Sequence, residues 1–257
     1  MLNILRARLH QGHRTTKFPD EPATLPARFR GRPVLDRSRC TAGCSACVAA
    51  CPTGALSEPL ALDMGRCLFC ADCVEACPDG AIRFSSEFRL AERVRTRLAV
   101  TASPAADEPR ELALAEELLR LFGRSLKLRV VSAGGCNGCE SDVNVLGTIV
   151  FDLGRFGIQY VASPRHADGL LITGPVTRNM REALRKTYEA IPEPRIVIAV
   201  GACAISGGPY IGHAEANDGA DSTVPVDLYI PGCPPHPLTI LEGLIGLLGR
   251  RVAEAAP

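Results

Sequence analysis

Twelve of the 257 residues are cysteine, and eight of these fall in two runs spaced like thiolate ligands. Cys67, Cys70, Cys73 and Cys77, followed by Pro78, read CxxCxxCxxxCP, a run that ligates a 4Fe–4S cubane. A tight loop lets three thiolates converge on one cluster, while the fourth cysteine, carried away on a following turn, reaches the neighbouring one. The other run, Cys40, Cys44, Cys47 and Cys51 before Pro52, has three residues instead of two in its first gap, with Gly43 able to absorb the extra turn. Crossed ligation then predicts one 4Fe–4S cluster on Cys40, Cys44, Cys47 and Cys77, and a second on Cys67, Cys70, Cys73 and Cys51. The competing reading is a pair of structural zinc knuckles, which also use tetrahedral thiolate sets. Zinc requires neither the trailing Cys-Pro nor the interdigitated spacing. The last four cysteines sit in glycine-bearing loops: Cys136 and Cys139 in GGCNGCES, Cys203 in GACAISGG and Cys233 in PGCPPHP. They make a third set of four, so no thiol is left over. The competing reading for these is four separate buried thiols.

The elements that must position these thiols follow from pattern. Cys44, Cys47, Val48, Ala50, Cys51, Pro52, Gly54 and Ala55 recur 26 residues later as Cys70, Cys73, Val74, Ala76, Cys77, Pro78, Gly80 and Ala81. One such unit is too short to enclose a core, so the two halves should pack face to face as one module over residues 34–95. Residues 1–33 form a basic arm ahead of it. Residues 96–110, with two prolines and many small residues, have linker composition. A helix is expected from Asp107, with Pro109 in its first turn and Leu112, Ala115, Leu118, Leu119 and Phe122 as its stripe, ending at Gly123. Across residues 111–257, apolar runs at 128–132, 158–162, 169–173, 195–200 and 226–230 read as strands, and 143–156, 177–190 and 237–248 as helices. Such alternation predicts an α/β domain with a mostly parallel, flavodoxin-like sheet covered on both faces. Cys136, Cys139, Cys203 and Cys233 would then all follow carboxyl ends of strands, the edge where open α/β sheets build their sites. Residues 206–225, rich in Gly, Asn and Asp, read as a mobile loop.

The blocks resemble known families. The stretch from KFPDEPATLPARFRGRP through both cysteine runs to FSSEFRLAERVR resembles the two-cluster ferredoxin subunit of formate hydrogenlyase and, more loosely, its counterpart in respiratory complex I. FGRSLKLRVVSAGGCNGCE, GLLITGPVTRNM, IAVGACAISGG and VDLYIPGCPPHPLTI resemble the small subunit of membrane-bound group 4 nickel–iron hydrogenases. The whole looks like a fusion of two subunits usually separate. Within that superfamily, complex I members carry adjacent cysteines in the first cluster loop, whereas hydrogenase small subunits carry CxGC, as Cys136, Asn137, Gly138 and Cys139 do here. The resemblance implies an electron-transfer subunit with three 4Fe–4S clusters, peripheral on the cytoplasmic face of the inner membrane. Its implied partners are a nickel–iron large subunit, membrane-embedded complex-I-like subunits, and a redox partner such as formate dehydrogenase or ferredoxin. The alternative is the iron–sulfur subunit of a complex-I-related oxidoreductase lacking nickel; a free-standing carrier would not need the α/β domain.

Three residues near the third set carry two readings each. Glu140 and Asp142 follow the cluster loop, where the resemblance implies carboxylates that face the large subunit and assist proton movement; acids are also favoured at a helix start by its dipole. His236 stands where many relatives have Arg, and either hydrogen-bonds a cluster or packs behind its ligands as a neutral ring.

Bulk properties exclude other classes. Net charge is +1, from 29 Lys and Arg against 28 Asp and Glu, so no overall excess points to nucleic acid. No apolar run reaches the ~18 residues a membrane span needs, and arginines interrupt the N-terminal segment where an export signal would be apolar. Reduced thiols, hence metal ligands rather than disulfides, are the expectation. Leu2, Leu5 and Leu9 stripe the basic arm, which suits a membrane surface, a partner subunit or a solvated leader.

Overall fold

The computed structural model describes residues 2–102 and 110–250. Helix α1 (Leu2–Gln11) carries its leucines fully outward, with no buried residue. Strand β1 (Pro33–Leu35) then leads into the first cysteine run and α2 (Ala46–Ala50), followed by β2 (Leu56–Ser57) and β3 (Ala61–Asp63). The second run carries α3 (Asp72–Glu75) and β4 (Ile82–Phe84). Both α2 and β2 recur 26 residues on as α3 and β4, so the sequence repeat is a repeat of structure. β1 pairs antiparallel with β4, and β2 with β3.

Ala99–Thr101, at the start of the expected linker, is instead a strand, β5, whose register sets Leu62 opposite Val100 and which completes the order β2-β3-β5. The physical reason is its pairing: Leu98 and Val100 become buried once the segment lies alongside β3, which no local pattern announces. The expected helix start at Asp107 and Pro109 lies outside the described residues. Leu112 and Leu114 are buried in extended chain, the Leu114 N–H donating to the Leu247 carbonyl, and α4 begins only at Glu116 (Glu116–Phe122), ending before Gly123 as its glycine predicts.

Five parallel strands follow: β6 (Leu126–Ser132), β7 (Ile158–Tyr160), β8 (Gly169–Thr173), β9 (Ile196–Val200) and β10 (Leu228–Ile230), with α5 (Gly138–Val145), α6 (Arg178–Glu189), α7 (Ala202–Ser206) and α8 (Pro237–Leu247) between and after them. Their order, β10-β9-β8-β6-β7, is the flavodoxin-like one, with its switch point between β6 and β8. β8 and β9 are buried at every residue, as strands covered on both faces must be. Leu171, Ile196, Ile198 and Val200 face α5 and α8; Leu170, Ile172, Val197 and Ala199 face the other way and share one core with Leu62, Met64 and Leu98 of the cysteine-rich module. The module thus covers part of a sheet face.

Two further expectations need correction. The helix expected over 143–156 starts earlier, because Asn137 adopts a left-handed φ of 72° that launches α5 right behind Cys136, and it ends at Leu146; Leu153–Phe156 is a separate 3-10 turn. Residues 206–225 are pinned rather than open: Ala220 is fully buried, its N–H donates to the Ala204 carbonyl, and Tyr229 Oη donates to Asp221. No helix among the described residues is long and apolar enough to cross a membrane.

Candidate metal centres

The first set is assembled by two loops. Cys40 closes a 3-10 turn, and Gly43 takes up the extra residue of the gap at φ +78° with open space where a Cβ would be. Thr41 Oγ1 donates to Asp79 at 2.7 Å, tying this loop to the turn after Cys77. Burial pushes the Cys47 thiol up, and the thiols that add to the push are Cys77 and Cys40. Cys77 therefore stands with the first run.

The second set is the mirror case. Burial pushes Cys67 up to about 12, against the Phe69 N–H, with Cys73, Cys51 and Cys70 adding to the rise. Cys73 is pushed up to about 11 by burial, then by Cys70 and Cys51. Cys51, Cys67, Cys70 and Cys73 all line one pocket, walled by Leu56, Leu62 and Phe84. Backbone N–H groups point at the sulfurs: Ala55 to Cys51 and Ala81 to Cys77, both at 3.2 Å, and Phe69 to Cys67 at 3.3 Å.

The third set gathers at the carboxyl edge of the parallel sheet. Cys139 is pushed up by burial, then by Cys203, Glu140, Cys233 and Cys136; Cys203 rises to about 12 from burial, Cys233 and Cys136. Glycine is required around them. A Cβ on Gly201, at φ +90°, would lie 2.5 Å from Cys139 Sγ, and one on Gly208 2.9 Å from Cys203 Sγ. The sets lie in series, since Cys73 of the second feels Cys47 of the first, and Cys233 of the third feels Cys70 of the second.

A thiol buried beside other thiols, as Cys67, Cys73, Cys139 and Cys203 are, resists losing its proton, and a polycationic group among them reverses that. Among the described residues no three His, Cys, Asp or Glu side chains gather closely enough for a single metal ion. The donor sets, the cavity beside the second and the inward N–H groups fit a larger, sulfide-bearing cluster.

Glu140 lies in the first turn of α5, buried, at the β6/β8 switch point. Its Oε1 accepts from Ser132 Oγ at 2.6 Å and Thr173 Oγ1 at 2.7 Å. Burial pushes its pKa up, yet these hydroxyls and its own N–H hold it below the usual range. Sequence reasoning missed Ser132 and Thr173; their signal is that each ends its strand. Asp142 is half-buried, its carboxyl pushed up by burial. His236 caps α8, Nδ1 accepting from the Leu238 N–H at 3.2 Å, and its ring meets Phe29 edge-on. Burial pushes its pKa down, which suits the neutral, packing reading.

Residues 136–247 match the family described as NADH ubiquinone oxidoreductase, 20 Kd subunit, and residues 60–83 match the 4Fe-4S binding domain. The chain is 43% identical over 129 residues to the probable membrane-bound hydrogenase subunit mbhJ of Pyrococcus furiosus, covering 50% of this chain and 77% of that protein. It is 45% identical over 143 residues to formate hydrogenlyase subunit 7 of Escherichia coli (strain K12), covering 54% of this chain and 56% of that protein. Among solved structures, a chain of the membrane-bound sulfane sulfur reductase, an archaeal respiratory membrane complex, is 36% identical over 52% of this chain and 73% of its own, with a TM-score of 0.46.

Proposed function

Because the chain belongs to the hydrogenase- and complex-I-related family of the NADH ubiquinone oxidoreductase 20 Kd subunit, as an iron–sulfur electron-transfer subunit, we propose that it relays electrons between a nickel–iron site in a separate large subunit and a redox donor or acceptor. Three 4Fe–4S clusters would be held: by Cys40, Cys44, Cys47 and Cys77; by Cys67, Cys70, Cys73 and Cys51; and by Cys136, Cys139, Cys203 and Cys233. A bound cluster supplies a centre that takes up and releases an electron. The chain's own part is to hold the thiolates in series, to wall them with Leu56, Leu62 and Phe84, and to aim N–H groups at sulfur, which eases added negative charge.

The carrying observation is the third set with its CxGC loop, in a chain that is 43% identical over 129 residues to a probable membrane-bound hydrogenase subunit. All twelve thiols are used, leaving none for nickel. Remaining partners would be membrane-embedded complex-I-like subunits and a formate dehydrogenase or ferredoxin, with the chain peripheral on the cytoplasmic face.

The test is metal and activity analysis under anaerobic conditions. The isolated chain is expected to hold about 12 iron and 12 sulfide and to be inert toward hydrogen, while the complex it purifies with holds nickel and turns hydrogen over. The family description itself favours the second reading, a complex-I-related subunit without nickel. A complex free of nickel that passes electrons to a quinone replaces the first reading with that one.

A further inference from the structure

The contact between the second and third cysteine sets is bridged by a segment that neither set belongs to. Residues 16–32 run as a strap from the α/β domain to the cysteine-rich module. At one end, on the α/β domain, the Thr16 N–H donates to the Val150 carbonyl and Arg155 donates to the carbonyls of Thr16 and Phe18; Phe18 then meets Phe88 of the module edge-on. At the other, the N–H groups of Gly31 and Arg32 donate to the carbonyls of Ser85 and Glu87, both at 2.8 Å. Gly31 lies so close to this segment that a Cβ would come within 2.1 Å of the Glu87 carbonyl oxygen. The two residues just before that anchor reach in opposite directions. Phe29 packs edge-on against His236, ring centroids 5.4 Å apart, on the turn that follows Cys233. Arg30 Nη1 donates at 2.9 Å to the carbonyl of Phe69, inside the loop between Cys67 and Cys70. The N–H of that same Phe69 points at Cys67 Sγ.

We propose that Phe29 and Arg30 are positioning residues that clamp the Cys67–Cys70 loop and the Cys233 turn to each other, setting the separation of the second and third centres, with Arg30 also adding positive charge beside the second. This rests on the three-cluster reading above. A guanidinium beside a centre that gains negative charge favours its reduced form, and a charge-assisted bond on a loop peptide limits how far Cys70 can drift from Cys233.

The experiment uses the full chain, reconstituted anaerobically, as wild type, Arg30→Lys, Arg30→Ala, Phe29→Leu and the Phe29→Leu/Arg30→Ala double variant. Iron is counted first. Potentiometric titration followed by low-temperature EPR then reads each centre's midpoint and the spin coupling between neighbours. Arg30→Ala is expected to lower the midpoint of the second centre, with Arg30→Lys recovering most of the shift because it keeps the charge. The double variant is expected to weaken the coupling between second and third centres and to slow electron exchange between them about 10-fold, the usual order for supporting contacts, leaving the first centre unchanged. Loss of iron from the second site alone in Arg30→Ala also supports the clamp. Wild-type iron near 12, with midpoints and couplings identical in every variant, overturns the clamp but not the three-cluster reading, as does a uniform loss of iron from all sites. Wild-type iron near 8 overturns both.

Discussion

Cys51 and Cys77 each stand four residues before an alanine whose N–H points back at the sulfur from 3.2 Å. Each thiol also stands near the other run, Cys51 adding to the rise of Cys67 and Cys73 and Cys77 to that of Cys47. Cys51→Ser should therefore disturb the centre on Cys67, Cys70 and Cys73 more than the one on Cys40, Cys44 and Cys47; EPR of the reduced chain separates the two, and the opposite pattern refutes the crossing. Glu140 is the other residue whose surroundings divide its readings. A glutamine there keeps the acceptor oxygen that Ser132 and Thr173 use, but removes the exchangeable carboxyl proton. A proton role predicts that Glu140→Gln lowers turnover of the assembled complex about 100-fold, with iron content unchanged. A helix-start role predicts normal turnover and a stability loss of roughly 0.3–1 kcal/mol, read by thermal unfolding.

Elements act here as carriers of close approach. β9 delivers the chain to Gly201, whose missing Cβ makes room for Cys139 Sγ, and α7 then turns Cys203 inward. Gly201→Ala places a methyl 2.5 Å from that sulfur at a φ of +90°, so either the loop or the thiol must move. The expected outcome is loss of about four of 12 iron atoms, with the far-ultraviolet dichroism of the sheet preserved; full iron content would show that the loop yields instead. The same logic explains why α5 starts where it does. A left-handed Asn137 leaves Cys136 exposed just ahead of α5 while Cys139, in its first turn, is more deeply set, the two still near enough to influence each other.

At the scale of the molecule, the two modules are locked by a buried ionic knot. Arg110 donates to Glu242 at 3.1 Å and to the Ala91 carbonyl, and pairs with Glu92 at 3.4 Å, while Glu92 and Tyr229 exchange backbone hydrogen bonds across the module boundary. Ser206 Oγ adds a bond to the Gly65 carbonyl. Arg110→Met leaves two carboxyls buried without their cation, and a loss of about 3–5 kcal/mol is expected in denaturant unfolding. Its pH dependence has a definite sign. Burial raises both carboxyl pKa values, with Arg110 opposing. A carboxyl raised above its unfolded value contributes stability that is present at low pH and lost as pH rises through the raised value. The variant's deficit should therefore grow as pH rises above the ordinary glutamate range; a deficit independent of pH would mean that the carboxyls are not the cause.

Cysteine spacing let the proposed ligand sets be written down before any fold was known, because a cubane needs four thiolates on short, turn-forming intervals and that demand is local. The repeat and the near-continuous apolar strands were legible for the same reason: β8 and β9 need only neighbours on both faces, whatever those neighbours are. Residues 99–101 read as linker because a three-residue strand has almost no local signal and exists through its pairing with Ala61–Asp63. Glu140 could be singled out by position, but not the Ser132 and Thr173 hydroxyls that hold it, since these meet only when β6 and β8 lie side by side. The strap across the two modules was illegible for the same cause. Phe29 and Arg30 are an ordinary aromatic and an ordinary cation in a basic arm, and their partners are 207 and 39 positions away in the numbering. Contacts between distant segments depend on how modules dock, which is a property of whole surfaces rather than of any window of sequence.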